Sequence, residues 1–224
     1  MNIPILYEDD SLLVINKPPG IVVNRADSVK EETVQDWVEK TYQIFIESRA
    51  GIVHRIDKET SGCLIIAKKP EVFFELQRQF KEREIHKIYL AIVHGTLVPP
   101  QGEVRVPVGR LPWNRERFGV VPGGKEAITK YTVIQHVKEL SVVELHPETG
   151  RTHQIRVHLK YINHPIVGDY LYAGRKTARD DRLWAPRTML HAWKIRFAYP
   201  KGGLMLAIEA PIPDDMDRII HGSS

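Results

Sequence analysis

Residues 51–62 read GIVHRIDKETSG, and the apolar run CLIIA follows at residues 63–67. Charged, hydroxyl and glycine residues are concentrated here between two apolar segments, whereas a simple turn needs only two or three of them. Asp57 at the end of a strand, flanked by Arg55 and Lys58, would be held ionised and could act as a nucleophile. A charged loop in which Asp57 caps or pairs locally fits the same spacing. The residues alone leave both interpretations open.

On either side of this stretch, strand-like and helix-like segments alternate irregularly, which predicts an α+β fold rather than a regular parallel series. Strands are predicted around residue 5 and over residues 12–15, 64–67, 88–93, 104–108, 128–135, 141–146, 189–197 and 204–208. Helices are predicted from Thr33, from Pro70 and through residues 155–162. Residues 109–125 and 172–187 are predicted to be long, arginine-rich irregular loops that are plausible substrate clamps.

Composition excludes several classes of protein. The 224 residues are 42% hydrophobic and 27% charged, which is too apolar for a disordered chain. No apolar run approaches the ~20 residues that span a bilayer. The N-terminus lacks a signal-peptide pattern, and the one cysteine, Cys63, excludes an internal disulfide and every cysteine-based zinc motif, so a cytoplasmic protein is expected. The net charge of +4 permits a polyanionic partner without requiring one.

Two further clusters carry candidate chemistry. Residues 148–158 read ETGRTHQIRVH, in which Arg151 and Arg156 lie at a predicted helix start, where anions find unpaired N–H groups. Residues 87–91 read KIYLA, and Tyr89 faces the opposite side of its strand from its two apolar neighbours. Surface arginines on an amphipathic helix and a tyrosine in the core or at a sheet edge are the alternatives.

Metal and hydrolase chemistry find little support. His153 and His158 are five residues apart, which separates them on a helix and puts them on opposite faces of a strand. No phosphate-binding glycine loop of a standard type occurs, and Cys63 lies within an apolar strand, where a thiol nucleophile is not expected. We therefore predict no metal site and no cysteine nucleophile.

Taken together, the clusters resemble the RluA-type pseudouridine synthases. The resemblance rests on five motifs in family order, and it covers the chain from about residue 5 to residue 214. The motifs are NKPPG at residues 16–20, HRIDKETSG at 54–62, KIYLA at 87–91, GRTHQIRVH at 150–158 and HPIVGD at 164–169. Ile56 stands where the family usually has leucine, which is a near-isosteric change.

The resemblance implies a pseudouridine synthase fold, with a mixed, largely antiparallel central sheet, flanking helices and loops, and two fused subdomains with a basic cleft between them. Residues 1–224 would form a single catalytic domain without the separate N-terminal RNA-binding domain that many relatives carry. The implied activity is that of an isomerase that converts specific uridines of structured RNA to pseudouridine. Ribosomal RNA is the expected substrate, and transfer RNA is the next candidate.

The resemblance also implies roles for individual residues. Asp57 would be the nucleophile, Arg156 would keep its pKa low, and Tyr89 would stack on the uracil and take part in proton transfer. Arg55, Lys58 and Arg151 would contact RNA phosphates. No cofactor is expected, because the isomerisation gains and loses no atoms, and no metal is expected, because no convincing set of ligands occurs.

RNA is thus the expected partner, with no membrane, no obligate protein partner, a monomeric state and a cytoplasmic location. Two other classes of function remain open. One is a non-catalytic RNA-binding module on the same scaffold. The other is a glycosidic-bond hydrolase of nucleic acid, which would release free uracil.

Overall fold

Eleven strands and five α-helices form within residues 1–222, which the computed structural model describes apart from the side chains of residues 115 and 116. The strands are β1 (Ile5–Glu8), β2 (Leu12–Lys17), β3 (Ser61–Ala67), β4 (His86–His94), β5 (Gln101–Arg105), β6 (Val108–Leu111), β7 (Asn114–Val120), β8 (Ile128–Val137), β9 (Leu140–Pro147), β10 (Leu190–Ala198) and β11 (Met205–Glu209). The helices are α1 (Val34–Tyr42), α2 (Pro70–Lys81), α3 (Gln154–Tyr161), α4 (Arg175–Asp181) and α5 (Asp214–His221). The expected α+β class with a largely antiparallel sheet is confirmed.

The chain divides into two compact units. The first comprises Met1–Lys87 and Ala192–Pro211, and the second comprises Ile88–His191 and the C-terminal segment from Ile212. Both β4 and β10 begin in one unit and end in the other, so the backbone passes between the units within these two strands. It passes between them again at residues 211–212, in the segment between β11 and α5.

In the first unit, the strand order is β1-β2-β3-β10-β11. Strands β1 and β3 both pair antiparallel with β2, and β11 pairs antiparallel with β10. Helix α2 covers a core that includes Phe73, Leu76 and Phe197, each almost completely buried. Burial of each such side chain contributes roughly 1.5–3 kcal/mol, so the contact between helix and sheet holds β3 and the loop before it in place.

Local sequence signals set the ends of the two helices in this unit. Thr33 caps α1 and forms a capping box with Asp36, as the sequence predicts. The helix ends at Tyr42 because Gln43 adopts a left-handed conformation with φ 54°, so Phe45 lies outside it. Pro70 occupies the first turn of α2, as predicted.

In the second unit, the strand order is β4-β9-β8-β5, and every neighbouring pair is antiparallel. Strands β6 and β7 form a separate hairpin. A smaller core joins this hairpin to α3 through Val108, Ala127, Val157 and Tyr172. Helix α5 is fastened to the segment before β10 by an ion pair between Arg187 and Asp215, with N–O distances of 2.6 and 2.9 Å.

The two regions predicted to be irregular loops contain regular structure. Residues 109–125 hold most of the β6–β7 hairpin, and residues 172–187 hold α4. The single strand predicted over residues 104–108 is divided, since β5 ends at Arg105 and β6 begins at Val108. These predictions were wrong because arginine-rich segments with few apolar residues give a weak periodic signal, whereas the hairpin forms through pairing with itself and through packing on α3.

Candidate active site

Asp57 lies in the loop that leads into β3. The backbone N–H of Thr60 donates to the carbonyl of Asp57 at 3.1 Å, which closes a turn over residues 57–60. Ile56 and Thr60 are buried on either side, whereas Asp57 is half-buried. The turn therefore anchors the backbone through its flanking residues and leaves Asp57 itself only partly buried.

Lys17 anchors this loop through hydrogen bonds to backbone carbonyls. Its side chain is fully buried, and its ammonium donates to the carbonyls of Pro18, Ile21 and Lys58 at 2.8, 3.0 and 3.0 Å. The N–H of Gly20 donates to the same Lys58 carbonyl at 2.8 Å. The motif at residues 16–20 is thus joined to the residue that follows Asp57.

The pairing of β2 with β3 sets this arrangement. Lys17 lies opposite Gly62 in the antiparallel register. Gly62 has φ 110°, and a Cβ at this position would lie 2.2 Å from the carbonyl oxygen of Ala192 in β10. Only glycine fits both the backbone conformation and the close approach of the neighbouring strand. Steric constraints therefore explain why the motif at residues 54–62 ends in glycine.

His54 fixes the other end of the loop. Its Nε2 accepts a hydrogen bond from the N–H of Ile65 at 3.0 Å, and its ring lies 4.7 Å from the ring of Phe80 between centroids. Burial lowers the pKa of His54 to about 3, and the positive charge of Lys87 adds to this effect. The imidazole is therefore neutral at pH 7, with its proton on Nδ1 because Nε2 acts as an acceptor.

The cationic neighbours of Asp57 in sequence point largely to solvent. Arg55 is exposed. Lys58 keeps 52% of its side chain accessible, and its ammonium lies 3.9 Å from Glu31. Two exposed cations beside a half-buried carboxylate suit contact with an extended polyanion.

Tyr89 lies in β4, opposite Leu145 of β9. It is half-buried, whereas the four residues that follow it are buried in the sheet. The position combines a fixed backbone with a side chain that is only partly covered. A ring held in this way can act as a stacking platform for a planar ligand.

Arg156 is in the first turn of α3 and is 8% exposed. Its Nε and Nη2 donate to the two carboxylate oxygens of Asp169 at 2.7 and 2.9 Å, and its guanidinium lies 5.0 Å from the ring centroid of Tyr172. Asp169 is fully buried and also accepts the N–H groups of Leu171 and Tyr172. A bidentate pair of this kind fixes the plane of the guanidinium.

Arg151 lies in the turn before α3, where Gln154 organises the backbone. The side-chain oxygen of Gln154 accepts the N–H of Arg151 at 3.0 Å and the hydroxyl of Thr149 at 2.7 Å. The Nε of Arg151 donates to the carbonyl of Glu126 at 3.0 Å. The side chain is thus tied to the segment between β7 and β8 and stays partly exposed.

The structure thus places the predicted residues in two groups. Arg55, Asp57 and Lys58 share one loop of the first unit, and Tyr89, Arg151 and Arg156 belong to the second. Lys17, His54 and Asp169 also position the site, although none of them was predicted from the sequence to do so. All three lie inside the quoted motifs, so motif membership was the available signal.

Within residues 1–222, no group of three or more His, Cys, Asp or Glu side chains is arranged to hold a metal ion. None of the helices in the described part of the chain is long and apolar enough to cross a bilayer. Burial raises the pKa of the Cys63 thiol to about 12, which is unsuited to a thiolate nucleophile.

Comparison with known proteins matches residues 11–161 to the family described as RNA pseudouridylate synthase. The chain is 41% identical over 222 residues to "Ribosomal large subunit pseudouridine synthase D" of Nitrosomonas europaea, covering 97% of this chain and 64% of the relative. It is 38% identical to "Uncharacterized RNA pseudouridine synthase slr1629" of Synechocystis, covering 98% of this chain and 69% of the relative.

Among solved structures, "Human RNA Pseudouridylate Synthase Domain Containing 1" is similar, with a TM-score of 0.77 and 29% sequence identity over 94% of this chain and 83% of that one. The resemblance to RluA-type enzymes read from the five motifs is therefore confirmed. The chain belongs to the RNA pseudouridylate synthase family.

Proposed function

We propose that this protein is an RNA pseudouridine synthase, an isomerase that converts specific uridines of structured RNA to pseudouridine with Asp57 as the catalytic nucleophile. The observation that carries the proposal is the half-buried Asp57 on a loop fixed at both ends by Lys17 and His54. Membership of the family supports it. Because relatives are named as ribosomal large subunit enzymes, we propose ribosomal RNA as the substrate and transfer RNA as the second choice.

The reaction breaks the bond between N1 of uracil and C1′ of the ribose, turns the base, and joins C5 to C1′. C5 loses its proton and N1 gains one, so atoms balance and neither a redox cofactor nor a nucleotide is needed. The target base has to leave the stack first, which costs a few kcal/mol. An ionised Asp57 would then assist detachment of the base, by attack on the sugar or the ring or by elimination.

Tyr89 and Arg156 are proposed to complete the catalytic group. Tyr89 would stack on the flipped uracil and take part in proton transfer. Arg156 would stabilise the charge of the Asp57 carboxylate, with its guanidinium held by Asp169. The rigid pairing with Asp169 is what makes Arg156 suitable, since a preorganised cation loses little side-chain freedom when the substrate binds.

RNA binding is proposed to involve Arg55, Lys58 and Arg151, which are exposed or partly exposed. The β6–β7 hairpin adds Arg110 and the tip residue Trp113, which is 79% exposed. An exposed aromatic ring on a hairpin that also carries a cation is typical of surfaces that contact single-stranded nucleotides. We propose that the protein acts as a cytoplasmic monomer and needs no obligate protein partner.

Product analysis separates the proposed function from its alternatives. Purified protein is incubated with ribosomal and transfer RNA, and the nucleosides are then separated and identified. Pseudouridine supports the proposal, free uracil indicates a glycosidic-bond hydrolase, and unchanged RNA that remains bound indicates a binding module. Mapping pseudouridines in total RNA with and without the protein then identifies the target.

The matched control is Asp57→Asn, which keeps the shape of the side chain and removes its nucleophilicity. We expect turnover to be abolished while RNA affinity changes little. Turnover within about tenfold of the wild type corresponds to a loss of only ~1.4 kcal/mol of barrier stabilisation, and it would remove Asp57 from the role of nucleophile.

A further inference from the structure

Lys87 is a cation in β4 that is partly buried and has no countercharge in the part of the chain that the structure describes. Within residues 1–222 its ammonium makes no hydrogen bond and no ion pair. Lys17 is also buried, but its ammonium donates hydrogen bonds to three backbone carbonyls. Burial lowers the pKa of Lys87 to about 8. Keeping an unpaired charge out of water costs free energy, so the position is unfavourable for folding alone.

The surroundings of Lys87 connect it with the proposed site. Its charge acts on His54, which is neutral and therefore offers no countercharge. His54 precedes Asp57 by three residues in the same loop. Lys87 also precedes Tyr89 by two residues in β4, a spacing that puts two side chains on the same face of a strand.

We propose that the Lys87 ammonium binds a backbone phosphate of the RNA next to the target uridine. This inference rests on the proposed function. A phosphate supplies the negative charge that the described residues do not provide at this point, and an ammonium with three rotatable donors accommodates phosphate oxygens without a fixed plane. Partial burial strengthens the contact because the site excludes part of the competing water.

The test measures RNA affinity as a function of salt in the Asp57→Asn background, which prevents turnover during titration. The probe is a fragment of large-subunit ribosomal RNA bearing a uridine that the wild type converts. Lys87→Met keeps the length of the side chain and removes its charge, whereas Lys87→Arg keeps a charge. The matched control is Lys201→Met, which removes an exposed lysine in the turn between β10 and β11.

We expect Lys87→Met to reduce the salt slope by about 0.7, the value for one single-strand phosphate contact. Affinity should fall about tenfold, as expected when one charge-assisted contact is lost. Lys87→Arg should retain most of the salt slope of the Asp57→Asn parent protein. Lys201→Met should have the same salt slope and RNA affinity as that parent. Lys87→Met should also raise the denaturation midpoint, because an unpaired buried charge is removed.

Replacing single phosphates around the target with neutral methylphosphonates locates the contact. At the phosphate that Lys87 contacts, the methylphosphonate should weaken RNA binding by the Asp57→Asn protein. It should not weaken RNA binding by the protein that also carries Lys87→Met, because that protein has already lost the contact. A Lys87→Met variant that is folded, more stable and unchanged in salt slope would overturn the inference while wild-type turnover still upholds the proposed function. Absence of turnover by the wild type would contradict the proposed function instead.

Discussion

The ammonium of Lys17 donates to the carbonyl oxygen of Lys58 at 3.0 Å, across 41 residues of sequence. This bond joins the turn after β2 to the residue that follows Asp57. The ammonium also donates to the carbonyls of Pro18 and Ile21, so one buried charge organises both segments. The loop that presents Asp57 is therefore held by charge-assisted bonds to backbone, which do not depend on neighbouring side chains.

We predict that Lys17→Met destabilises the protein by about 2–5 kcal/mol, because buried carbonyls lose a charged donor that the thioether cannot replace. Urea unfolding at equilibrium measures the change. Lys201→Met removes an exposed lysine and should stay within about 0.5 kcal/mol of the wild type. Turnover by Lys17→Met below its unfolding midpoint should also fall, since the Asp57 loop loses an anchor. A loss of stability below 1 kcal/mol would contradict the assigned role.

His54 should make the stability of the protein depend on pH. Its pKa is lowered to about 3 in the folded state, against an ordinary value of 6.5. Between these values the unfolded chain binds a proton that the folded chain does not, so stability falls as pH decreases from 6.5 towards 3 and is unaffected above 6.5. Between pH 7 and pH 5 the expected loss from this residue is about 2 kcal/mol.

The measurement compares wild type with His54→Gln by urea unfolding at pH 7 and pH 5. Glutamine can accept the hydrogen bond from Ile65 but does not titrate. From pH 7 to pH 5 the free energy of unfolding of the wild type should fall by about 2 kcal/mol relative to that of His54→Gln. A difference that is the same at both pH values would show that His54 is not desolvated in the folded protein.

The ion pair between Arg156 and Asp169 gives a third prediction. Asp169→Asn keeps the shape of the side chain but leaves the guanidinium without a countercharge in a buried position, which should cost about 3–5 kcal/mol. Arg156→Met should also be destabilising, because it leaves the buried Asp169 carboxylate without its countercharge. The double variant should recover part of the loss, and unfolding measurements on all four proteins give the coupling. Additive losses would mean that the two side chains act independently.

Local signals in the sequence predicted local features well. The capping box of Thr33 and Asp36 and the position of Pro70 depend on residues within one helical turn, so they are legible in the sequence. Strands β2 and β3 were each predicted from an apolar run, whereas their pairing was not. Hydrophobic patterning therefore indicated most of the strands that carry the candidate site.

Features that depend on partners distant in the chain could not be predicted from the sequence. Lysines are rarely fully buried, so the motif at residues 16–20 did not reveal that Lys17 is buried or that its partners include a carbonyl 41 residues away. The left-handed conformation of His153, φ 55°, is equally unmarked, and the structure couples it to a hydrogen bond with the Tyr172 hydroxyl at 2.8 Å. Asp169 was recognised within a motif, but only its contact with Arg156 shows what it does.

The last prediction concerns Tyr89, whose ring and hydroxyl can be separated by substitution. Tyr89→Phe keeps a ring on which a flipped uracil can stack, an interaction worth roughly 1–3 kcal/mol, and removes the hydroxyl. If the hydroxyl assists proton transfer, the single-turnover rate should fall by about 10²–10⁴ while RNA affinity stays close to that of the wild type. Tyr89→Leu removes the ring as well and should also weaken RNA binding.

Single-turnover rates and binding constants on one RNA fragment distinguish these roles, and urea unfolding corrects for any loss of stability. Because Tyr89 is half-buried opposite Leu145, both variants should fold with a modest loss. An undiminished rate for Tyr89→Phe would leave the residue as a stacking platform only. Normal binding and turnover by Tyr89→Leu as well would mean that Tyr89 packs in the sheet without touching the substrate.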